Sequence, residues 1–338
     1  MKEPIIDFVV LWLDSTDPGW KESFAHYSPN AKGRKENARF RGLGIFQYWF
    51  RAVEKYAPWV NKVFLITNGK FPDWINKDCP KLELVKHEDF IPKEKLPAFN
   101  SNFIEICIHN IKNLSEHFVY FNDDMFLNAP VKPEYYFKKG LPCDINRETC
   151  YNVPIYTKED IFGIYSIMFA DISIINSHFR RWTTVCQSPW RWFGPHLGIK
   201  GLLMSAILAK QRLFVGFSNY HIEQAFLKSI IAEVWEKNPD FMNDSCTRFR
   251  ENLKANQYIF RYWQFAKNLF YPMKRNGMYI MLAKETLGHI EKVLLEEKYS
   301  SVCINDSPLC SDEDFEYTQE RIQHLFKNKF PQKSSFEI

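Results

Sequence analysis

No apolar run in this sequence is long enough to cross a membrane as a helix. Such a helix needs ~20 apolar residues, whereas residues 161–175, the most apolar stretch of the second half, are fewer and include Asp171. Residues 5–13 are apolar except for Asp7, and no small-residue cleavage site follows them. This pattern predicts a buried strand and no signal sequence. We therefore expect a cytoplasmic protein without transmembrane segments.

Cysteine pairs with the spacing of zinc or redox motifs are also absent. The eight cysteines include no C-x-x-C pair, and a chain of 338 residues can bury enough core to fold without disulfides. We interpret them as reduced thiols. The formal net charge is only +4, and the basic residues are scattered except in segment 32–41. Because nucleic-acid-binding proteins concentrate positive charge on one surface, we expect no nucleic-acid partner.

What the sequence does have is a high content of apolar and aromatic residues. Hydrophobic residues make up 46% of the chain and aromatic residues 17%. These fractions predict a folded protein with a large core and exclude wholesale disorder. Most of the rings are expected in that core, although aromatic rings also stack on sugars and bases.

Strand-like and helix-like segments alternate in the first half, which predicts an α/β fold. Residues 5–13, 63–67, 82–85 and 118–121 are apolar runs of strand length, and residues 43–56 repeat apolar side chains at helical spacing. Near-continuous apolar strands are typical of parallel sheets covered on both faces.

A further helix is predicted to begin at Asn102. Phe103, Cys107 and Ile111 share one helical face. Asn102 and Glu105 resemble a capping box, with Glu105 on the polar face of the helix.

The second half is less regular and predicts a mostly helical region. Residues 223–236 and 251–268 have helical patterns, and residues 301–304 have the pattern of a short strand. Residues 311–326 place acids first and bases last, as the helix dipole favours. We expect a closing helix there.

Acidic residues follow two of the predicted strands. Asp14 and Asp17 come after the first strand, and Asn122, Asp123 and Asp124 come after strand 118–121. Open α/β sheets place ligand sites at the carboxyl ends of their strands. These acids are therefore candidates for binding a divalent metal with a diphosphate. The alternative for each group is the capping of a local turn.

Two more clusters carry groups that suit phosphate chemistry. His221 titrates near neutrality, and Arg248 and Arg250 present guanidinium forks that match phosphate oxygens. Asn305 and Asp306 follow the late strand. A lone histidine is more often structural, and Asn305 and Asp306 alone do not identify a site.

In chain order, these clusters resemble the four sequence blocks of the Stealth family of sugar-1-phosphate transferases. The first block is similar to residues 6–18, and the second to the run from Arg51 through YAPW, VFLITNG and LPAFNS to LSEHFVYFNDDMFL. The third lies around His221 and residues 247–250. The fourth is similar to CIND at 303–306 with FP and SSFE after it. The resemblance spans nearly the whole chain.

The resemblance implies a fold and a reaction. The fold is a Rossmann-like, GT-A-like nucleotide-diphosphosugar-transferase core with a mostly helical subdomain. The reaction transfers a hexose-1-phosphate, for example GlcNAc-1-phosphate, from a UDP-sugar to a glycan or lipid-linked glycan hydroxyl and releases UMP. Its product belongs to capsular or cell-surface polysaccharide. The rival reading is a metal-dependent GT-A glycosyltransferase, which attacks the anomeric carbon and releases UDP.

The resemblance also implies one catalytic domain over residues 1–338. Residues 1–140 and 300–338 are expected to form the α/β core that binds the nucleotide sugar. Residues 150–275 are expected to form an inserted subdomain or lid that carries the third block.

Site residues follow from the matching positions. The catalytic candidates are Asp14, Asp123, His221, Arg250 and Asp306. The substrate-binding candidates are Asp17, Arg51, Asn100, Ser101, Asn122, Arg248 and Asn305. The candidate ligands for Mg²⁺ or Mn²⁺ are Asp123, Asp124 and Asp306.

Roles within this set are assigned by chemistry. His221 or Asp14 is the candidate general base toward the acceptor, and Arg248 and Arg250 are candidates for binding the diphosphate. Asn100 and Ser101 start a predicted helix, whose free N–H groups could bind phosphate.

One segment also suggests peripheral contact with the inner face of the membrane. Residues 258–275 interleave Arg261, Lys267, Lys274 and Arg275 with large aromatic rings. Core packing of those rings is the alternative.

Overall fold

A mostly parallel sheet forms the centre of the protein. The structure is a computed structural model that describes residues 4–28, 41–151, 159–250, 254–306 and 310–338. The order of strands in the central sheet is β3 (Leu82–Lys86), β2 (Val63–Thr67), β1 (Ile6–Leu11), β4 (His117–Phe121) and β8 (Gln224–Leu227). The first four are parallel, and β8 is antiparallel to β4. The predicted α/β class and the predicted strands of the first half are confirmed.

Helices pack around this sheet and form most of the second half. The α-helices of the described residues are α1 (Pro18–Tyr27), α2 (Phe46–Tyr56), α3 (Ser101–Ile106), α4 (Glu159–His178), α5 (Arg181–Gln187), α6 (Pro189–Trp192), α7 (Gly198–Ile207), α8 (Lys228–Lys237), α9 (Pro239–Ser245), α10 (Tyr258–Ala266), α11 (Leu287–Glu296) and α12 (Asp312–Lys329). None of them is long and apolar enough to span a membrane.

The order of the strands places a crevice between β1 and β4. The chain moves from β1 to β2 and β3 on one side, and then returns to the other side of β1 as β4. Val10 on β1 is level with Phe121 on β4, so both strands end at the same edge. Such a reversal is where open α/β sheets bind ligands. It brings the segments after β1 and β4 side by side.

Two small sheets flank the central one. The first contains β10 (Gly277–Met281), β11 (Ser301–Asn305) and β5 (Met125–Leu127), with β11 in the middle. The second contains β6 (Phe137–Lys138), β7 (Leu141–Asp144) and β9 (Tyr271–Pro272). Because β5 follows β4 closely, the first small sheet carries β11 to the carboxyl end of β4.

The prediction of one helix over residues 223–236 is wrong in its first part. Residues Gln224–Leu227 form β8, all four are buried, and they pair with β4. Short buried apolar runs fit a strand or a helix equally well, and here tertiary pairing decides. This strand lies within residues 150–275, so part of the predicted inserted subdomain belongs to the central sheet. The helix predicted over 251–268 begins only at Tyr258, and residues 251–253 lie outside the described part.

The helix predicted from Asn102 is shorter and begins earlier. Asn100 is its N-cap, and its side chain accepts a hydrogen bond from the Asn102 N–H. The helix ends at Ile106. Glu105, predicted on the polar face, is buried against Tyr120, which lies on β4. The predicted capping box of Asn102 and Glu105 is therefore wrong.

Buried ion pairs hold the second half together. Arg261 on α10 contacts Asp144 at 2.8 Å, and Arg275 contacts Glu223 at 2.6 Å. Residues Ile259–Ala266 are buried throughout, and Arg261 and Arg275 are buried with them. Of the four cations in segment 258–275, Arg261 and Arg275 are buried, Lys267 pairs with Glu233, and Lys274 is exposed. The core-packing alternative therefore describes most of this segment.

Arg51 fastens the carboxyl-terminal segment to α2. Its guanidinium donates to the two Glu337 carboxylate oxygens at 2.9 and 2.6 Å and to the Phe330 carbonyl at 2.8 Å. Burial raises the pKa of the Glu337 carboxyl, but Arg51 and Ser334 outweigh it and hold that pKa below its usual range. The structure thus engages Arg51, a predicted substrate contact, with residues near the end of the chain.

Arg51→Met is expected to lower the free energy of unfolding by roughly 2 to 4 kcal/mol, because it leaves the mostly buried Glu337 carboxylate unpaired. Chemical denaturation measures this. Glu337→Gln is expected to cost a similar amount, and the double variant little more. Lys21→Met, which removes an exposed cation from α1, is the control. Full stability with weaker donor binding would instead make Arg51 a substrate contact.

Candidate active site

The loop after β4 carries the acidic residues of the crevice. The Tyr120 hydroxyl lies 2.6 Å from Asn122 Oδ1 and 3.1 Å from Glu105 Oε1. Burial raises the pKa of Glu105 to about 7, although Arg250, Tyr120 and His221 oppose the rise. A protonated Glu105 can donate to the Tyr120 oxygen while Tyr120 donates to Asn122. This chain fixes Asn122 at the start of the loop.

Asp123 and Asp124 have different surroundings. The Asp123 side chain is reached by solvent, yet close protein on several sides and the neighbouring Asp124 carboxylate raise its pKa to about 7. A carboxyl with such a pKa can exchange protons near neutral pH, as general acid or base catalysis requires.

Asp124 points toward β11 and His221. Its backbone carbonyl accepts a 2.9 Å hydrogen bond from the Ile304 N–H. Its Oδ2 atom lies 3.3 Å from Cys303 Sγ and 3.8 Å from His221 Nε2. Its Oδ1 atom is buried and has no hydrogen-bond partner among the residues that the structure describes. A buried carboxylate oxygen without a partner is costly, so this position fits a ligand that supplies positive charge.

Asp124, His221 and Cys303 form a group that fits a metal ion. Each offers one ligand atom, and the three atoms lie within 4.8 Å of one another. Imidazole and thiol suit borderline-soft divalent ions, whereas Mg²⁺ prefers oxygen ligands alone. Burial and Asp124 raise the pKa of the Cys303 thiol, so a metal would have to displace its proton.

The predicted ligand set of Asp123, Asp124 and Asp306 is not brought together among the described residues. Asp306 instead forms a two-pronged pair with Arg41, with Nε to Oδ2 at 2.9 Å and Nη2 to Oδ1 at 3.1 Å. Arg41 also contacts Asp312 at 2.8 Å. The reason is positional, since Asp306 lies past the end of β11, beyond the residues that pair with β5.

His221, one of the three candidate metal ligands, has its ring oriented by Tyr279. The two rings meet edge to face at 5.6 Å, and the Tyr279 hydroxyl accepts a 3.0 Å hydrogen bond from Asn305. Burial lowers the pKa of His221, but Asp124 and Glu105 outweigh this effect, and the net pKa is raised. The ring is therefore inclined to hold a proton. Asn305, predicted as a substrate contact, supports the residue that orients His221.

Asp14 and Asp17 both stabilise local turns. Asp14 Oδ1 accepts from the N–H and the hydroxyl of Thr16 at 2.9 and 2.6 Å. Asp17 is the N-cap of α1 and accepts from the Trp20 N–H at 2.8 Å. The turn-capping alternative therefore describes these contacts. Asp14 nevertheless lies just past β1, at the edge of the sheet where β4 also ends.

Asn100 and Arg248 are engaged in holding the third block against α3. The buried Asn100 amide donates to the Thr247 carbonyl and hydroxyl at 3.2 and 3.1 Å. Arg248 donates to the Pro97 and Leu96 carbonyls, both at 3.1 Å, and stacks on a tyrosine ring. Asn100 and Arg248, both predicted to contact substrate, thus make contacts within the protein that shape the site.

Arg250 reaches the entrance of the site. It is exposed, and its Nη2 atom donates to Ser101 Oγ at 2.5 Å. Its charge acts on Glu105 and His221, whose pKa values it lowers. Arg250, with Ser101 as its hydrogen-bond partner, therefore lies within electrostatic reach of Glu105 and His221.

Sequence reasoning missed Glu105, Tyr120, Cys303 and Tyr279. Cys303 was interpreted only as a reduced thiol in a strand. Its place in CIND, two residues before the predicted site residue Asn305, is a signal, because alternate residues of a strand face the same side. Glu105 and Tyr120 carried the pattern of helix and strand residues, and their pairing depends on tertiary contact.

Known proteins similar to this chain are named as polysaccharide phosphotransferases. The family model for conserved region 2 of Stealth proteins matches residues 39–143. The chain is 38% identical to the capsular polysaccharide phosphotransferase WcwK of Streptococcus pneumoniae, over 98% of both chains. It is 36% identical to the exopolysaccharide phosphotransferase cps2G of Lactiplantibacillus plantarum, over 98% of this chain and 96% of that one. It is 36% identical to the receptor polysaccharide phosphotransferase WefC of Streptococcus gordonii, over 98% and 99%.

Two solved glycosyltransferases are similar at a low level. LgtC, a galactosyltransferase in complex with donor and acceptor sugar analogs, has a TM-score of 0.37 at 8% identity over 95% of both chains. WbbM, a bifunctional glycosyltransferase, has a TM-score of 0.39 at 11% identity, over 98% of this chain and 52% of that one. These TM-scores are too low to support an argument about the reaction.

The geometry predicts that Cys303 takes part in metal binding. Wild-type protein titrated with Co²⁺ is expected to develop a thiolate-to-metal absorption band. Cys303→Ser is expected to abolish that band and weaken Co²⁺ binding at least ~10-fold, and Asp124→Asn is expected to weaken binding as well. Cys79→Ser, at a buried cysteine outside this group, and Asp306→Asn are expected to bind normally. An unchanged band in Cys303→Ser would remove Cys303 from the site.

Proposed function

This chain belongs to the Stealth family of phosphotransferases, and from that membership we propose that it transfers a hexose-1-phosphate from a UDP-sugar to a glycan hydroxyl, releasing UMP. The hexose is GlcNAc or a similar sugar, and the product is a phosphodiester in capsular or exopolysaccharide. The observation that carries the proposal is the meeting of Asp123, Asp124, His221 and Arg250 at the crevice beyond β1 and β4. The names of the three relatives support the same reaction class.

The proposed step forms one bond and breaks one. The acceptor oxygen attacks the phosphorus next to the sugar, its proton passes to a base, and the bridging oxygen leaves with UMP. Most of the catalysis in such a transfer comes from positioning and from stabilising charge on the phosphoryl oxygens. We assign Arg250 and Ser101 to the diphosphate on the basis of their place at the crevice.

A divalent cation fits the proposal. Asp124, His221 and Cys303 are the residues that would hold it, and it would neutralise diphosphate charge. Asp123 is next to Asp124 in the chain and open to solvent. Because the group contains a thiol and an imidazole, a softer divalent ion is a candidate in addition to the predicted Mg²⁺ or Mn²⁺.

His221 has two candidate roles. As the general base predicted from sequence, it must be neutral, which its raised pKa opposes; positive charge at Asp124 would offset this. As a metal ligand, it would leave proton removal to Asp123 or Asp14. The two roles predict different metal affinities when the ring is removed.

We also propose that the acceptor is a lipid-linked glycan and that the protein works at the inner face of the cell membrane. The names of the relatives refer to polysaccharides of the cell exterior, whose precursors need a hydrophobic carrier to cross a bilayer. Contact with the bilayer must come from a surface other than residues 258–275, since these are largely buried.

The first test of the function is the identity of the nucleotide released. Incubation of the protein with UDP-GlcNAc, acceptor and divalent metal is expected to yield UMP in step with phosphodiester formation, measured by ion-pair chromatography. Release of UDP alone would establish the rival reaction, attack at the anomeric carbon. Asp123→Asn is expected to abolish release of either nucleotide without lowering the melting temperature.

The second test separates the roles of His221. His221→Ala is expected to lower turnover by ~100-fold to ~10,000-fold with an unchanged melting temperature and, if His221 is the base, an unchanged donor affinity. Unchanged Co²⁺ affinity in this variant identifies the base role, whereas weakened affinity identifies the ligand role. Turnover within a few-fold of wild type would exclude both, and Asp14→Asn would be tested next. His289→Ala, on α11, is the matched control.

A further inference from the structure

One side of α7 exposes large apolar side chains. Ile199, Leu203 and Ile207 have 80%, 60% and 72% of their surface exposed. Because residues four positions apart lie on the same side of a helix, these three form a continuous apolar ridge. Trp190 and Phe193, just before α7 in the chain, are exposed as well. We call these five residues the α7 surface.

The large apolar side chains of α7 face solvent, which is the opposite of an ordinary surface helix. Gly201 and Ser205 face the body of the protein and are buried; they lie about 200° around the helix from the ridge. A Cβ atom on Gly201 would lie 2.9 Å from Cβ of Leu197, the N-cap of α7, and 3.3 Å from Nε of Arg147, so this side of the helix has little room for a larger residue. Surface helices normally turn their apolar side inward. Close packing through small residues therefore holds the apolar ridge outward.

The segment around α7 has basic residues and no acidic ones. Residues 172–222 contain no Asp or Glu, and their basic residues are Arg180, Arg181, Arg191, Lys200, Lys210 and Arg212. Arg181 is neutralised by Glu148 in a buried pair at 2.6 Å. Lys200, Lys210 and Arg212 are exposed and lie within or just after α7. The apolar ridge is thus accompanied by positive charge, and no carboxylate of this segment offsets it.

We propose that the α7 surface binds an anionic lipid bilayer. Apolar side chains at the ridge would enter the boundary between headgroups and acyl chains, while flanking Lys and Arg side chains contact lipid phosphates. Each cation near an anionic membrane adds to the attraction. A second copy of the same surface fits less well, because it would bring like charges together. Nucleic acid would meet an apolar ridge where it needs cations.

The α7 surface has a fixed connection to the active site. Residues 208–220 lead from the end of α7 to His221. The Ser218 N–H donates to the Arg147 carbonyl at 2.8 Å, and Arg261 donates to the Ser218 carbonyl at 3.0 Å. A bilayer bound at α7 would therefore have a defined position relative to His221, as a lipid-linked acceptor requires. In this respect alone the inference rests on the proposed function.

Vesicle co-sedimentation of the full chain tests the proposal. Wild-type protein is expected to bind vesicles of phosphatidylcholine with phosphatidylglycerol, more weakly at high salt, and to bind pure phosphatidylcholine poorly. The triple variant Ile199→Ser, Leu203→Ser, Ile207→Ser is expected to lose at least ~10-fold in vesicle affinity. Leu295→Ser, at an exposed apolar residue of α11, is the matched control and is expected to bind normally.

A charge variant gives a second, independent reading. Lys200→Glu, Lys210→Glu and Arg212→Glu together are expected to lower affinity for the anionic vesicles by ~5-fold or more for each residue. Lys77→Glu, Lys93→Glu and Lys112→Glu together, at exposed positions outside the segment, control for net charge. Normal binding by both α7 variants, or failure of the wild type to bind either vesicle, would overturn the proposal.

Parallel measurements separate the remaining outcomes. A wild-type dimer that the serine variant converts to a monomer in light scattering would make the α7 surface a self-association site and overturn the proposal. UMP release on a water-soluble acceptor is expected to be unchanged in the α7 variants. Vesicle binding without UMP release in the wild type would overturn the proposed function and leave this inference intact.

Discussion

The hydrogen bond from the Ile304 N–H to the Asp124 carbonyl joins two parts of the chain on which the site depends. Asp124 follows a strand of the central sheet, whereas Ile304 lies on β11 of a small sheet. The antiparallel register places Cys303 opposite Met125, which brings the thiol to the Asp124 side chain. Without this junction, Cys303 would not reach the acidic loop. Asn305 and Tyr279 would also not be in place to orient His221.

The acidic residues that follow the central strands could be predicted from sequence, whereas the contribution of Cys303 on β11 could not. The apolar strands of the first half imply a parallel sheet, and a parallel sheet gathers its carboxyl ends at one edge. Asp14, Asp123 and Asp124 were placed on that basis. Cys303 reaches the site through pairing between strands far apart in the chain. Its position two residues before Asn305 indicates which side of the strand it faces, but local pattern does not give the register that places it beside Asp124.

The same limit explains why several predicted substrate contacts hold the structure together instead. Arg51, Asn100 and Arg248 have side chains that suit phosphate, but their partners are carbonyls and carboxylates distant in sequence. The sequence of residues 258–275 suggests membrane contact for a related reason. Their arginines looked like surface cations among aromatic rings, whereas Asp144 and Glu223 neutralise Arg261 and Arg275 inside the core.

The clamp between Arg51 and Glu337 has a consequence for synthesis of the protein. The two residues are separated by 286 positions in the chain, so a ribosome exposes Arg51 long before it makes its partner. Through most of translation α2 therefore carries an unmatched cation, and the strand-rich first half emerges with its apolar surface incompletely covered. Nascent chains of this length and topology are prone to aggregate. Chaperone contact during elongation is accordingly of greatest value for the first half of this enzyme.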